Sequence, residues 1–167
     1  MSDSIKMICL ANSEKHGNRC VAGVRIDTGG WLRPVSDDTG SGLLNSQYET
    51  VSGHYPEPLD TVRVKIDRNR PKYHQPENWV ISGESWELVE TELHDKALLA
   101  INAALQREGL ILHDSSSAIP KRALKDMPVF RSLTLICPTE PNFYIRERDD
   151  SDPQPRTRFR FDGHEYD

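Results

Sequence analysis

Between Arg19 and Asp27 the chain alternates Cys20, Ala22, Val24 and Ile26 with Arg19, Val21, Gly23 and Arg25, the two-residue period of a β-strand. Thr28-Gly29-Gly30 can supply the positive φ of a tight turn, so Trp31 to Ser36 is expected to return antiparallel. The apolar run Ile5 to Ala11 upstream completes a meander, and Leu59 to Ile66 adds a further strand beyond an irregular connection punctuated by Gly40, Gly42, Gly53, Pro56 and Pro58. Strands of this kind bury one face and lose their open edges by closing on themselves, as in small Greek-key barrels.

Downstream, Asp67 to Gln75 is polar, basic and broken at Pro71, which predicts a loop or a ragged strand end. Pro76 to Ile81 and Ser85 to Leu88 are short apolar anchors around Ser82-Gly83 that staple a linker onto the core. A helix is predicted from Thr91, with Leu93, Ala97, Leu98, Ile101, Ala104 and Leu105 as its buried stripe and Gly109 as its terminator. Ser115-Ser116-Ser117 reads as a loop, with Lys121 and Arg122 exposed beyond it, and Ser132 to Cys137 as a strand. Phe143 to Arg148 and Arg156 to Phe161 are expected to pair across an acidic, Pro-broken connection, and Asp162-Gly163 to turn into a short returning strand.

A chain of 167 residues holds one domain of ordinary size or two very small ones sharing a core. Apolar residues at 36% and charged residues at 28% fit a globular protein with a wet surface. No run approaches the roughly 18 apolar residues of a membrane span, and no secretory leader is apparent, so a cytoplasmic location without membrane contact is expected. Cys9, Cys20 and Cys137 lack CxxC spacing, which argues for buried, reduced thiols rather than a disulfide framework or a zinc site. Residues 1–35, 61–80 and 119–137 carry net charges of +2, +3 and +3, against −5, −5 and −3 for the segments 36–60, 81–118 and 138–167. The positive segments either gather into one basic face or simply mix charge across solvated strands and loops.

Several blocks taken together, Cys9-Leu10-Ala11-Asn12-Ser13 with Lys15 and Gly17 to Gly23, Trp31 to Ser36, Leu59-Asp60 to Val64, Gln75 to Trp79, and Arg158 to Phe161 with Gly163 to Asp167, resemble the bacterial dual-OB-containing domain family. The resemblance implies a mainly β protein with one or two helices, in which two small OB-like β-barrels share or flank a linker helix. On this basis residues 1–67 are expected to form the first barrel, 68–128 a linker region with a helix at about 91–108, and 129–167 the second barrel. The family pattern runs on past Glu165-Tyr166-Asp167, which predicts a short or missing last strand in that second barrel. A nucleic-acid-binding role follows from the same resemblance.

OB barrels hold single strands by stacking bases on aromatic rings while a basic groove tracks the phosphates, with stacking worth about 1–3 kcal/mol per base. Lys15, His16, Arg19, Trp31 and Arg33 are the candidates for this role on the first barrel. Tyr144, Arg146, Arg148, Arg156, Arg158 and Arg160 are the candidates on the second, where the strand period sends Arg156, Arg158 and Arg160 to one side. The same residues also suit purely structural roles, with Trp31 plugging the core and the arginines keeping strand edges soluble.

Chemistry beyond binding finds little footing. The histidines at 16, 54, 74, 94, 113 and 164 stand singly, without metal-ligand spacing or an adjacent carboxylate pair. Ser13, Lys15 and His16 could be drawn as a nucleophile with a base, but such a loop more often makes a turn or an anion site. No phosphate-cradling glycine motif occurs, since Gly40 and Gly42 lack a following Lys-Ser or Lys-Thr. The expectation is a non-catalytic module without metal or cofactor that binds single-stranded or structured DNA or RNA. The alternative is a module for a protein partner, or for a nucleotide held by Lys15, Arg19 and Arg33, with an enzyme ranked last.

Overall fold

The structure, a computed structural model, describes residues 3–15, 17–37, 41–72, 74–90, 94–116, 119–120, 122, 131–148 and 151–167, with the side chains of Lys15, Arg148 and Ser151 outside the description. It divides into two compact units, Met1–Ala104 with Val129–Ser132, and Leu105–Pro128 with Leu133–Asp167.

The first unit is built on β1 (Asp3–Lys15), β2 (Asn18–Arg25), β3 (Trp31–Val35), the single-turn helix α1 (Asn45–Tyr48), β4 (Thr61–Asn69), β5 (Asn78–Ile81) and β6 (Glu87–Glu90). The strand order β1-β2-β3-β5-β4 closes through a β1–β4 pairing into a five-stranded OB-like barrel, and β6 adds to the outside of β4. All pairings are antiparallel except β3 with β5. β1 serves two neighbours: Asp3 to Ile8 pair with β4, Met7 to Lys15 pair with β2, and the register shifts between Cys9 and Ala11. An extra residue at such a bulge bends the strand, which lets one strand form both sides of the closure.

Met7, Cys9, Val21, Leu32, Val62, Val64 and Ile66 fill the barrel, with Leu43, Tyr48 and Trp86 buried in the same cluster. Gly23 sits where the wall leaves no room: a Cβ there would lie 2.0 Å from the Ile8 carbonyl oxygen and 2.6 Å from Met7 Cγ. The alternation in β2 has an unexpected second use. Val21 points into the barrel core, while Val24 belongs to a separate cluster with Ile8, Ala97, Ala100 and Ala104, so both faces of the strand are buried.

That second cluster is made by α2 (Asp95–Ala104) packing on the barrel's outer surface. The helix forms where its periodicity predicts, but the buried face is alanine: Ala97, Ala100 and Ala104 are covered while Leu98 and Leu99 are exposed. Small side chains let the helix approach the sheet closely. The helix also stops earlier than the 91–108 expected, because Leu105–Gln106 becomes β7 and pairs in parallel with β8 (Leu135–Ile136). The expected first turn at residues 91–93 lies outside the described residues. Two anchors assigned to a linker are strands of the first sheet, since β5 closes the barrel and β6 extends it.

The second unit contains the β7–β8 ladder, a 3-10 turn at Ile111–His113, and an antiparallel meander of β9 (Thr139–Arg148), β10 (Ser151–Phe161) and β11 (His164–Tyr166). Asp162 and Gly163, at φ 45° and 78°, make the tight hairpin turn read from the sequence. Phe161 and Tyr166 are buried, and the Phe159 and Tyr166 rings stack at 5.4 Å. β10 begins at Ser151, earlier than expected, with the register shift between Ser151 and Gln154 absorbing the Pro153 region. The cysteines are free, but only Cys9 is buried, and Cys137 is exposed. Among the described residues no helix is long and apolar enough to cross a membrane.

Candidate nucleic-acid interface

On the first barrel, three of the five expected binding residues, Arg19, Trp31 and Arg33, are engaged by neighbours. Arg19 lies opposite Glu14 on β1 and forms an ion pair with it at 3.3 Å. Trp31 packs into the cluster beneath α2, and its buried indole N–H has no acceptor among the described residues. Arg33 is drawn inward: its Nη2 lies 3.0 Å from Glu77 Oε1 and donates to Ser132 Oγ at 2.8 Å, and the Ser132 hydroxyl donates in turn to Glu77. Lys15 ends β1 opposite Asn18, its side chain outside the description, and His16 lies outside the described residues.

The remaining cations of this barrel are largely neutralised by neighbours. Arg25 pairs with Asp27, Arg63 with Glu87, Lys65 with Glu84 and Arg68 with Asp67. The hydrogen bond to Asp27 raises Arg25 above its ordinary pKa, and the same bond lowers the Asp27 carboxyl. The outer surface of β2 and β3, the surface OB-folds commonly offer to oligonucleotides, is here partly roofed by α2.

The β9–β10 hairpin presents a different surface. Arg156 lies opposite Tyr144, Arg158 opposite Asn142, and Gln154 opposite Arg146, so the strand pleat puts Tyr144, Arg146, Arg156 and Arg158 on one face. Arg160 follows on the same strand opposite Thr139, beyond a register shift. The Arg158 guanidinium stands 5.8 Å from the Tyr144 ring centroid. Arg146 and Arg160 are exposed and have no ion-pair partner among the described residues. Arg156 is half-buried and donates to Gln154 at 3.2 Å. The main chain of Arg148 lies opposite Ser151, with its side chain outside the description.

Two carboxylates temper this face. The Tyr144 hydroxyl donates to Asp167, and Arg158 Nη2 lies 3.1 Å from Asp167, with Glu165 at 3.9 Å from its Nε. These bonds lower the Asp167 carboxyl and raise both the Tyr144 phenol and the Arg158 guanidinium. The back of the same hairpin is apolar, with Phe143 and Ile145 exposed at 77% and 68%.

A model of the dual OB-containing domain matches residues 5–167. The chain belongs to the dual OB-containing domain family. Membership agrees with the closed barrel of the first unit and with a binding role for the protein. No curated protein and no solved structure matches the chain.

Sequence reading missed the partners more than the residues. Glu77 lies 44 positions from Arg33 and Ser132 lies 99 away, so nothing local to Arg33 announces its ion pair. The histidines, read as solitary, include His54, whose Nε2 lies 2.6 Å from Asp60 Oδ2. That carboxylate also accepts the Glu57 N–H at 2.8 Å and so closes a turn. Among the described residues no cluster of His, Cys, Asp and Glu has the makings of a metal site.

Proposed function

We propose that the protein binds single-stranded nucleic acid, DNA or RNA, through the Tyr144 face of the β9–β10 hairpin, without catalysing a reaction. The observation that carries this reading is the alignment of Tyr144 with Arg146, Arg156 and Arg158 on one strand face, continued by Arg160. The ring offers a stacking platform and the guanidiniums offer bidentate contacts to phosphate. Membership of an OB-containing family supports a binding module. Engagement of Arg19, Trp31 and Arg33 by their neighbours argues for the hairpin rather than the first barrel as the polymer-contacting surface.

Fluorescence anisotropy with labelled single-stranded oligonucleotides tests this. Affinity is expected to fall with salt at a log–log slope of about −0.7 for each phosphate neutralised. Tyr144→Ala is expected to weaken binding by the equivalent of about 1–3 kcal/mol, and Arg156→Ala with Arg158→Ala to flatten the salt slope. Absence of binding at low salt, or binding indifferent to all of these changes, would overturn the proposal.

A further inference from the structure

The geometry points to a pocket for a single nucleobase in the second unit, one that takes guanine in preference to uracil, beside the Tyr144 face of the β9–β10 hairpin. The inference rests on the strand-binding reading for the source of the base, and on the pocket alone for its recognition. Every residue of the wall belongs to the second unit.

The cavity encloses about 370 Å³, within the range of small-ligand sites. Leu112, Ile119 and Phe159 give it an apolar wall. Phe159 is half-buried, and Tyr166 stacks against it with ring centroids 5.4 Å apart and planes 17° from parallel. A flat heteroaromatic ring extends such a stack, as unpaired bases do on aromatic side chains.

Part of the wall is held in a conformation that side chains disfavour. Leu112 and His113 have φ of 49° and 64°, the left-handed region that residues with a Cβ avoid. Leu112 and Asp114, on either side of the bend, line the cavity, while His113 between them is exposed. Neighbouring bonds fix the turn: the Ile111 N–H donates to the Tyr166 hydroxyl at 3.1 Å, and the Asp114 N–H to the Ile111 carbonyl at 3.0 Å. Backbone strain of this kind gathers at ligand clamps.

The polar groups select the ligand. Asp114, Ser116 and Asp167 line the cavity, and among the described residues no lysine, arginine or histidine does. A phosphate meets repulsion there, whereas a ring with N–H groups on its edge meets acceptors. Asp114 Oδ1 accepts both the Ser116 N–H, at 2.6 Å, and the Ser116 hydroxyl, which leaves Oδ2 without a partner among the described residues. The same bonds hold the Asp114 carboxyl below its ordinary range, so it is ionised at neutral pH. Guanine sets two donors side by side on its Watson–Crick edge, the N1–H and the 2-amino group. Adenine and cytosine set an amino donor beside an acceptor, and uracil flanks its single N–H with two carbonyls. The order of preference is therefore guanine, then adenine and cytosine, then uracil.

Asp167 joins the pocket to the hairpin. It lines the cavity while accepting the Tyr144 hydroxyl and lying 3.1 Å from Arg158 Nη2. A strand whose phosphates follow Arg156 and Arg158 passes beside the pocket, and one of its bases turns in.

Nucleosides are the first probes, because they carry the base without phosphate. Ligand-observed NMR on the intact protein is expected to show guanosine binding about tenfold tighter than uridine, the worth of one charge-assisted bond. Asp114→Asn keeps an oxygen for Ser116 and puts an amide donor in place of Oδ2, so it is expected to abolish that preference without moving Tm. Phe159→Leu is expected to weaken guanosine, adenosine, cytidine and uridine alike, by about tenfold. In fluorescence anisotropy, an oligouridylate carrying one guanine is expected to bind more tightly than plain oligouridylate, with the difference lost in Asp114→Asn. If guanosine binds and no oligonucleotide does, the strand-binding reading falls and the pocket stands. Equal binding of guanosine and uridine, choline bound as tightly as guanosine, which marks a cation site, or a preference that survives Asp114→Asn overturns the pocket even if Phe159→Leu fails to fold, and leaves the strand-binding reading in place.

Discussion

Replacing Arg33 with Met distinguishes an arginine that holds the barrel together from one that waits for phosphate. The pair it forms with Glu77 is largely shielded, with 15% of the Arg33 side chain and 4% of the Glu77 side chain exposed. Removing one member of a buried pair typically costs 3–5 kcal/mol, because the other charge stays behind without its partner. Here Glu77 keeps the Ser132 N–H at 3.2 Å and the Ser132 hydroxyl. These retained bonds put the expected loss at the low end, about 3 kcal/mol. For a chain of this size that corresponds to a drop in Tm of roughly 6–12 °C. Urea unfolding followed by tryptophan fluorescence isolates the first unit, and the double variant Arg33→Met with Glu77→Leu is expected to recover most of the loss, since two apolar groups leave no stranded charge. The reasoning fails if Arg33→Met moves the unfolding free energy by less than about 0.5 kcal/mol, the range of an ordinary surface change, and lowers oligonucleotide affinity instead.

Gly23→Ala is expected to prevent barrel formation or to cost more than about 3 kcal/mol, because its Cβ would collide with the Ile8 main chain rather than with a movable side-chain tip; circular dichroism and urea unfolding check this. Ala100→Leu is expected to destabilise the first unit by about 1–3 kcal/mol through overpacking beneath α2. Leu99→Gln on the exposed side of that helix should stay within about 0.5 kcal/mol, and equal effects of the two would contradict the packing. Burial pushes the Cys9 thiol up to about 12, so at pH 8 alkylation mapped by mass spectrometry should mark exposed Cys137 and spare Cys9 until the protein unfolds.

What could be read from the sequence was what is written locally. The two-residue period of β2, the glycines after Asp27 and the Asp162-Gly163 turn each carry their own geometry, and the meander and the final hairpin follow from them. β5 and β6 escaped because each is 4 residues long, too short for a period to declare itself. Their strand identity comes from neighbours: β5 lies in parallel beside β3 and antiparallel to β4, pairings made across the barrel. On α2 the expected stripe is right at Ala97, Ile101 and Ala104, and only Leu98 departs from it, being exposed while Ala100 is buried. Close approach to Ile8 and Val24 rewards small residues, and that demand belongs to the sheet rather than to the helix. In the candidate interface, the alignment of Arg156 with Arg158 on one face follows from strand period alone, whereas the alliance of Arg158 with Asp167 depends on where the meander returns.

Ser132 belongs to the first unit although the residues on its C-terminal side belong to the second, and its hydroxyl links Arg33 with Glu77. The sheet's last strand is therefore not the last piece of the first unit to leave the ribosome: Ser132 arrives 42 residues after β6 ends, once residues 105–128 of the second unit have been made. Division of the gene at the end of α2 would keep every strand of the barrel and the Arg33–Glu77 pair but remove the serine that bonds both, so no single cut in the chain divides the two units.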